Sequence, residues 1–199
     1  MDHLQRIANL KNRYFLMRHG QSKANLLNII VSDPEDGKHE DYALSVLGQQ
    51  QALESAKKSN LSSDTIIYTS DFSRAIETAE IVQRELKVPK IHITKALRER
   101  HFGNWEKFDS ANYHKVWEAD KTNADHNENN VEPVSSVLDR ATNLIIELEQ
   151  KYANKDILLV SHGDTLQILQ TGFQKVHPSE HRSLKHLETA EIRATTLAQ

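Results

Sequence analysis

The sequence predicts an α/β fold, a single-domain three-layer α/β/α sandwich with a mostly parallel central sheet, covering residues 1–199 with 1–12 as a short N-terminal extension. Three observations predict it. Short apolar runs alternate along the chain with stretches of helical periodicity, the pattern of strands separated by crossover helices. Two of those runs, one starting at Tyr14 and one at Ile157, are apolar throughout, as strands covered on both faces are. Both end in the same dipeptide, His19-Gly20 and His162-Gly163, and turn there into a helical pattern.

The elements follow in order. The first strand, Tyr14 to Arg18, leads through Gln21 to Asn25 into a polar stretch, Ser32 to Asp41, whose Pro34 and Gly37 read as a loop. Ser45 to Ser59 is a helix with Leu47, Ala52, Leu53 and Ala56 as its apolar stripe. Asp64 to Thr69 is a strand, and Ser73 to Leu86 a helix carrying Ile76, Ala79, Ile81 and Val82 and stopped by Pro89. A short strand at Ile91 to Ile93 leads to Leu97 to Gly103. Lys121 to Glu132, rich in Asn and acids, reads as a mobile surface excursion. Val134 to Tyr152 is a long amphipathic helix, Ile157 to Ser161 the second His-Gly strand, and Ala190 to Leu197 the last strand.

Composition narrows the function classes. A chain of 199 residues buries roughly 70% of its unfolded surface, enough for a real core. The net charge of −3 supplies no basic field, so neither nucleic acid nor an acidic membrane is an expected partner. With no cysteine there is no disulfide, zinc-thiolate site or thiol nucleophile. No run approaches membrane-spanning length and the first ten residues lack an apolar leader core, so the expected location is cytoplasmic. Oligomeric state is not legible.

The chemistry lies beside the two histidines. In an open α/β sheet, side chains at the carboxyl ends of parallel strands converge on one crevice, so His19 and His162 are expected to face each other. Arg18 precedes His19, and Ser70 to Arg74 brings a second arginine just inside a helix start. Guanidinium forks and helix N-termini both suit phosphate oxygens. Neighbouring cations also keep an imidazole neutral, as a nucleophile must be. Glu99, within Leu97-Arg98-Glu99-Arg100, supplies a carboxyl that can protonate a leaving alkoxide and then, as carboxylate, activate water.

At these residues the chain resembles the histidine phosphatase superfamily, in the branch shared by cofactor-dependent phosphoglycerate mutases and related phosphatases. Arg18 to Asn25 (RHGQSKAN) is similar to the arginine–histidine–glycine element, Ser70 to Ala75 (SDFSRA) to the element with the second arginine, Leu97 to Glu106 (LRERHFGNWE) to the acid-bearing segment, and Ser161 to Asp164 (SHGD) to the second histidine element. The resemblance implies that His19 becomes a phosphohistidine while Arg18, Arg74 and His162 hold the phosphoryl oxygens and Glu99 serves as acid, then base. It implies that Asn25, with Gly163 at the second element, contacts the phosphoryl group and that Gln21 and Ser22 line the rim; no metal and no cofactor are implied. Gln21 stands where many members have glutamate.

Other readings of single residues stand beside these. A lone strand-end histidine is most often structural, but two of them accompanied by Arg18, Arg74 and Glu99 point to a site. Arg98 and Arg100 read as ordinary charges outside it, and Gln21 and Ser22 suit capping the next helix as well as contacting substrate. His177, His181 and His186 have spacings that allow a metal face, but no carboxylate cluster or cysteine accompanies them. Trp105 and Trp117 read as packing.

The expected function is hydrolysis of a small phosphomonoester, with mutase action as the alternative and a non-catalytic phospho-ligand binding module as a remote third. Members with mutase activity carry, by the resemblance, an insertion with extra arginines and a tyrosine where Phe102 stands. Here Glu106 to Glu132 holds Lys107, Lys115 and Lys121 among many acids and no arginine. If this stretch walls the pocket, its carboxylates are expected to repel a second anion and so favour water as acceptor.

Overall fold

The computed structural model describes residues 2–198. Five strands, β1 (Arg13–Arg18), β2 (Ile66–Thr69), β3 (Ile91–Ile93), β4 (Asp156–Ser161) and β5 (Ile192–Thr195), form one sheet in the order β3-β2-β4-β1-β5. The first four strands are mutually parallel; β5 runs antiparallel to β1 at the edge. The helices are α1 (Lys23–Leu27), α2 (Pro34–Lys38), α3 (Val46–Lys58), α4 (Ser73–Leu86), α5 (Tyr113–Thr122), α6 (Val134–Lys151) and α7 (Gly163–Gln174).

Strand alternation sorts the core into two layers. Tyr14, Leu16, Ile157 and Leu159 pack with Leu144, Ile145 and Leu148 of α6 and Leu166, Leu169 and Phe173 of α7. Met17, Ile67, Leu158 and Val160 meet Ala52 and Ala56 of α3 and Ala75, Ala79 and Val82 of α4 on the opposite face. Each fully buried Leu, Ile or Phe contributes about 1.5–3 kcal/mol. The alanines let α3 and α4 lie close to each other and α4 close to the sheet.

This arrangement positions the site. The helix after β4 covers one face, and α3, which follows β1, covers the other. The crossover direction therefore reverses between two adjacent strands, which opens a crevice at their carboxyl ends. The register pairs Arg18 with Ser161, so the next residues, His19 and His162, leave the sheet side by side. The His19 amide closes the ladder by donating to the Ser161 carbonyl at 2.9 Å.

The residues before β1 dock on the body: Leu4 is fully buried in the α6–α7 layer and the His3 amide donates to Thr142 Oγ1 at 3.2 Å. Two expectations change. Within Ser32 to Asp41, Asp33 caps α2 with Pro34 in its first turn, and Glu40–Tyr42 is a 3-10 turn; a capping aspartate before proline is a helix start that the Pro and Gly content obscures. Lys121 to Glu132 begins as the last turn of α5 and then packs inward, with Ala124 and Val131 buried. Val131 joins Ile30, Phe102 and Val116 in a small core of their own beside the crevice.

Candidate active site

His19 is 3% exposed and His162 fully buried, and their rings meet edge to face with centroids 5.1 Å apart. His19 Nδ1 lies 2.7 Å from the Gly20 carbonyl, which can only accept, so the proton sits on Nδ1 and Nε2 keeps its lone pair. Arg74 Nε donates to that Nε2 at 3.1 Å. Burial, then the Arg74 and Arg18 guanidinium groups, hold the His19 imidazole well below the usual histidine range. Burial, then Arg74 and His19, do the same to His162. Both rings are therefore neutral at physiological pH.

The donors around them are incompletely used. Arg74 Nη2 donates to the Val31 carbonyl at 2.9 Å, and Arg18 Nη1 donates to His186 Nε2 at 2.7 Å and to the Leu187 carbonyl at 3.2 Å. His162 Nε2 pairs with Ser70 Oγ at 2.9 Å. Arg18 Nε, Arg74 Nη1 and His162 Nδ1 are buried with no protein partner, three of the six such side-chain atoms among the described residues. A buried donor left unpaired costs about 1–3 kcal/mol, so such a cluster is poised for an anion. Gly163 opens the α7 N-terminus to it: a Cβ there would come 3.3 Å from the His186 ring and 3.4 Å from Arg18 Nε.

Glu99 is 9% exposed. Its Oε1 accepts from the Arg100 amide at 3.0 Å, the Thr165 amide at 3.1 Å and Thr165 Oγ1 at 3.2 Å, which leaves Oε2 without a protein partner. Burial first, then the Asp164 carboxylate, raises its pKa, against an opposing pull from Arg74. The site thus holds a neutral imidazole whose Nε2 lone pair accepts from Arg74 and a carboxyl biased towards its acid form, a nucleophile paired with a general acid for the leaving group.

Of the other expected residues, Ser22 and Asn25 line the crevice and also form a capping box on α1: Ser22 Oγ accepts from the Asn25 amide at 3.2 Å, and the Ser22 amide donates to Asn25 Oδ1 at 2.9 Å. Gln21 is not among the lining residues. Its Oε1 accepts from Ser45 Oγ at 2.8 Å, tying β1's exit to the start of α3.

The crevice encloses about 270 Å³. Its outer wall comes from residues that the sequence pattern did not assign to a site. Tyr113 and Trp117 project from α5 with their rings stacked, centroids 5.4 Å apart and 8° between planes. Arg182 lies over the Trp117 ring at 3.7 Å, and His186 stands beside it. Burial, then Glu99, raises the pKa of the Tyr113 phenol, which stays protonated. The helix itself was legible in principle, since Tyr113, Val116, Trp117 and Asp120 fall at i, i+3, i+4 and i+7.

The repelling acidic wall is corrected. Between Glu106 and Glu132 only Ser110, Tyr113 and Trp117 reach the cavity. The acids turn elsewhere: Glu106 accepts from the Ser32 amide at 2.8 Å, Asp120 takes Arg100 in a fork at 2.7 and 2.8 Å, and Glu132 takes Arg140 at 2.9 Å. Arg100 is accordingly a fully buried structural cation, while Arg98 is held by Asp71 at 2.6 and 2.7 Å. Phe102 is fully buried and does not touch the cavity; the phenol there is Tyr113. Trp105 packs against Phe108, whereas Trp117 is a wall of the crevice as well as a packing residue. His177, His181 and His186 take separate partners, namely Ser179, the Pro178 carbonyl and Arg18. No group of three or more His, Asp or Glu among the described residues could hold a metal ion, and no described helix is long and apolar enough to cross a membrane.

The profile of the histidine phosphatase superfamily (branch 1) matches residues 14–198. The uncharacterized phosphatase PhoE of Bacillus subtilis is 31% identical over 156 residues, 78% of this chain and 74% of that protein. A 2,3-bisphosphoglycerate-dependent phosphoglycerate mutase of Cytophaga hutchinsonii is 27% identical over 190 residues, 88% and 82% of the two chains. The solved structure of a mycobacterial glucosyl-3-phosphoglycerate phosphatase shares the fold with a TM-score of 0.75, at 23% identity and covering 92% of this chain and 88% of that one.

Proposed function

The chain belongs to branch 1 of the histidine phosphatase superfamily, and from that premise we propose that it hydrolyses a small phosphomonoester in the cytoplasm through a phosphohistidine on His19. The observation that carries this reading is the opposed pair at the strand ends: His19 neutral with Nε2 as acceptor, and Glu99 biased to its acid form with Oε2 free. A site that only bound phosphate would need the cations but not that pair.

The steps follow from the geometry. The phosphoryl oxygens take up Arg18 Nε and Arg74 Nη1, donors that the protein leaves unpaired, and His162 Nδ1, which carries the ring proton when the Ser70 hydroxyl donates to Nε2. Drawing Arg74 towards the phosphoryl group weakens its hold on His19 Nε2, whose lone pair then forms the N–P bond as the P–O bond to the alcohol breaks. Glu99 gives its proton to the departing oxygen. The resulting carboxylate takes a proton from water, whose oxygen attacks phosphorus; the P–N bond breaks, phosphate leaves, and both groups return to their starting state. Asn25 and Ser22 edge the phosphoryl site. Charge that develops on the equatorial oxygens meets donors already in place, so little reorganisation is needed.

Mutase action is the second reading, favoured by the relatives that carry that name and by Arg182 at the cavity mouth. Hydrolysis is preferred because α5 and its flanks bring no cation to the cavity, leaving one arginine outside the phosphoryl site to hold a bisphosphate while it turns. The test is the leaving-group dependence of Glu99→Gln, assayed with chelator present. Turnover of alkyl phosphates is expected to fall by about 10²–10⁴-fold and that of aryl phosphates far less. Equal loss on both would contradict the role of Glu99, and faster isomerisation of 3-phosphoglycerate than release of its phosphate would favour the mutase.

A further inference from the structure

Arg182 stands outside the phosphoryl-holding cluster, yet it faces the same cavity. Its guanidinium carbon lies 3.7 Å from the centroid of the Trp117 ring, which also stacks with Tyr113, and Trp117 is itself fixed by its Nε1 donating to Asp164 Oδ1 at 3.0 Å. Arg182 Nη1 donates to Gln167 Oε1. Gln167 is 1% exposed, and its amide nitrogen donates to the Leu184 carbonyl at 2.7 Å, which fixes the oxygen towards Arg182. The same oxygen accepts from His186 Nδ1 at 3.2 Å, while His186 Nε2 accepts from Arg18. One buried amide therefore sets Arg182 relative to Arg18.

Arg182 shares a carboxylate: its Nη1 pairs with Asp164 Oδ1 at 3.7 Å, and that aspartate also serves Trp117 and, at 3.4 Å, Arg100. Arg182 Nε and Nη2 form no hydrogen bond within the protein, and the side chain is 24% exposed. The unused edge of a guanidinium is the geometry that grips a carboxylate with two parallel hydrogen bonds. Arg182 and the phosphoryl-holding residues Arg18, His19 and Arg74 line one cavity, so a single small ligand can reach both anion sites.

We propose that Arg182, stacked on Trp117 and aimed by Gln167, binds a carboxylate on the substrate, so that the enzyme selects small phosphomonoesters that carry a carboxylate a few bonds from the ester. The inference rests on the phosphatase reading only in calling the ligand a substrate. It assigns Arg182 to specificity and Gln167 to positioning.

Two esters that differ at one end test it: 3-phosphoglycerate, with a carboxylate, and glycerol 3-phosphate, with a hydroxymethyl group in its place. A charged hydrogen-bonded pair predicts that kcat/KM for the first exceeds that for the second by about ten- to a hundred-fold in the wild type. The ratio is expected to fall close to one in Arg182→Gln and to stay intermediate in Arg182→Lys, which keeps the charge but not the fork. A wild-type ratio near one, or an undiminished ratio in Arg182→Gln, overturns the proposal. Calorimetric binding of the same esters to His19→Ala, with and without Arg182→Gln, reads the preference without turnover. If the wild type hydrolyses no ester, the phosphatase reading fails; the carboxylate site then stands or falls on the binding ratio alone.

Discussion

The floor and the outer wall of the crevice are built by different means. The floor consists of residues that leave adjacent parallel strands or open the helices after them: Arg18 and His19 from β1, Arg74 from α4, His162 from β4. Sheet register fixes the spacing of the β1 and β4 residues, and His19, Arg74 and His162 are almost wholly enclosed while Arg18 is partly so. The wall consists of Tyr113, Trp117, Arg182 and His186, which belong to α5 and to the segment between α7 and β5. No strand pairing holds them. Aromatic stacking holds them, together with a buried cluster in which Arg100 is gripped by Asp120 while Asp120 also accepts from His126 Nε2 at 2.8 Å. The difference separates two tasks: hydrogen-bonded backbone sets the reaction chemistry, and side-chain packing at a distance sets what else the substrate must carry.

The largest expected effect loosens the wall. Arg100→Met leaves Asp120 buried without its cation, and breaking a buried pair from one side costs about 3–5 kcal/mol. Urea unfolding is expected to report that loss, and the double change Arg100→Met with Asp120→Leu to recover part of it. A single variant as stable as the wild type would mean that the wall does not depend on this cluster.

Next is a change to the floor. Arg74→Ala removes a pre-organised donor to the phosphoryl oxygens and is expected to lower kcat by about 10²–10³-fold. The loss should be of similar size on 3-phosphoglycerate, glycerol 3-phosphate and an aryl phosphate, because it touches the part that all three share. A loss that varied strongly among them would blur the division between floor and wall.

How much of each region was legible follows from the same division. His19 and His162 could be read because an apolar run, a histidine and a glycine are contiguous in sequence, and parallel-sheet topology supplies the rest. Glu99 reads as the carboxyl carried by a further strand-like segment, whereas Asn25 is legible only through motif resemblance. The wall could not be read this way: Trp117 read as packing, and His186 as one of three spaced histidines. Counting acids from Glu106 to Glu132 suggested repulsion, but composition does not say where a carboxylate points, and Asp120 and Glu132 point at arginines. For Gln21 the sequence leaves two roles open, a place at the rim and one at a helix start. Gln21 sits one residue before Ser22 in the motif, yet its side chain turns to Ser45.

A smaller effect tests the electrostatics of the floor through stability. Because the folded pKa of His19 is held below the unfolded value of about 6.5, the unfolded chain binds the extra proton as pH falls below that value. Stability from this group is thus complete above about pH 6.5 and is lost on acidification, by up to about 1.4 kcal/mol per pH unit until the folded pKa is reached. Glu99, with a raised pKa, acts in the opposite sense above the unfolded carboxyl value. Chemical denaturation of wild type and His19→Gln at several pH values should give a shallower acid-side slope in the variant; an identical slope would mean that His19 titrates normally in the fold.

The most direct test of the central claim, that the floor performs covalent phosphoryl transfer at His19, is to trap the intermediate. Rapid mixing with a phosphorus-labelled phosphomonoester, followed by quenching, is expected to leave base-stable, acid-labile label on the protein, mapping to the peptide that contains His19 and absent from His19→Ala. Label that persists in His19→Ala, or that maps to the His162 peptide, would contradict the account.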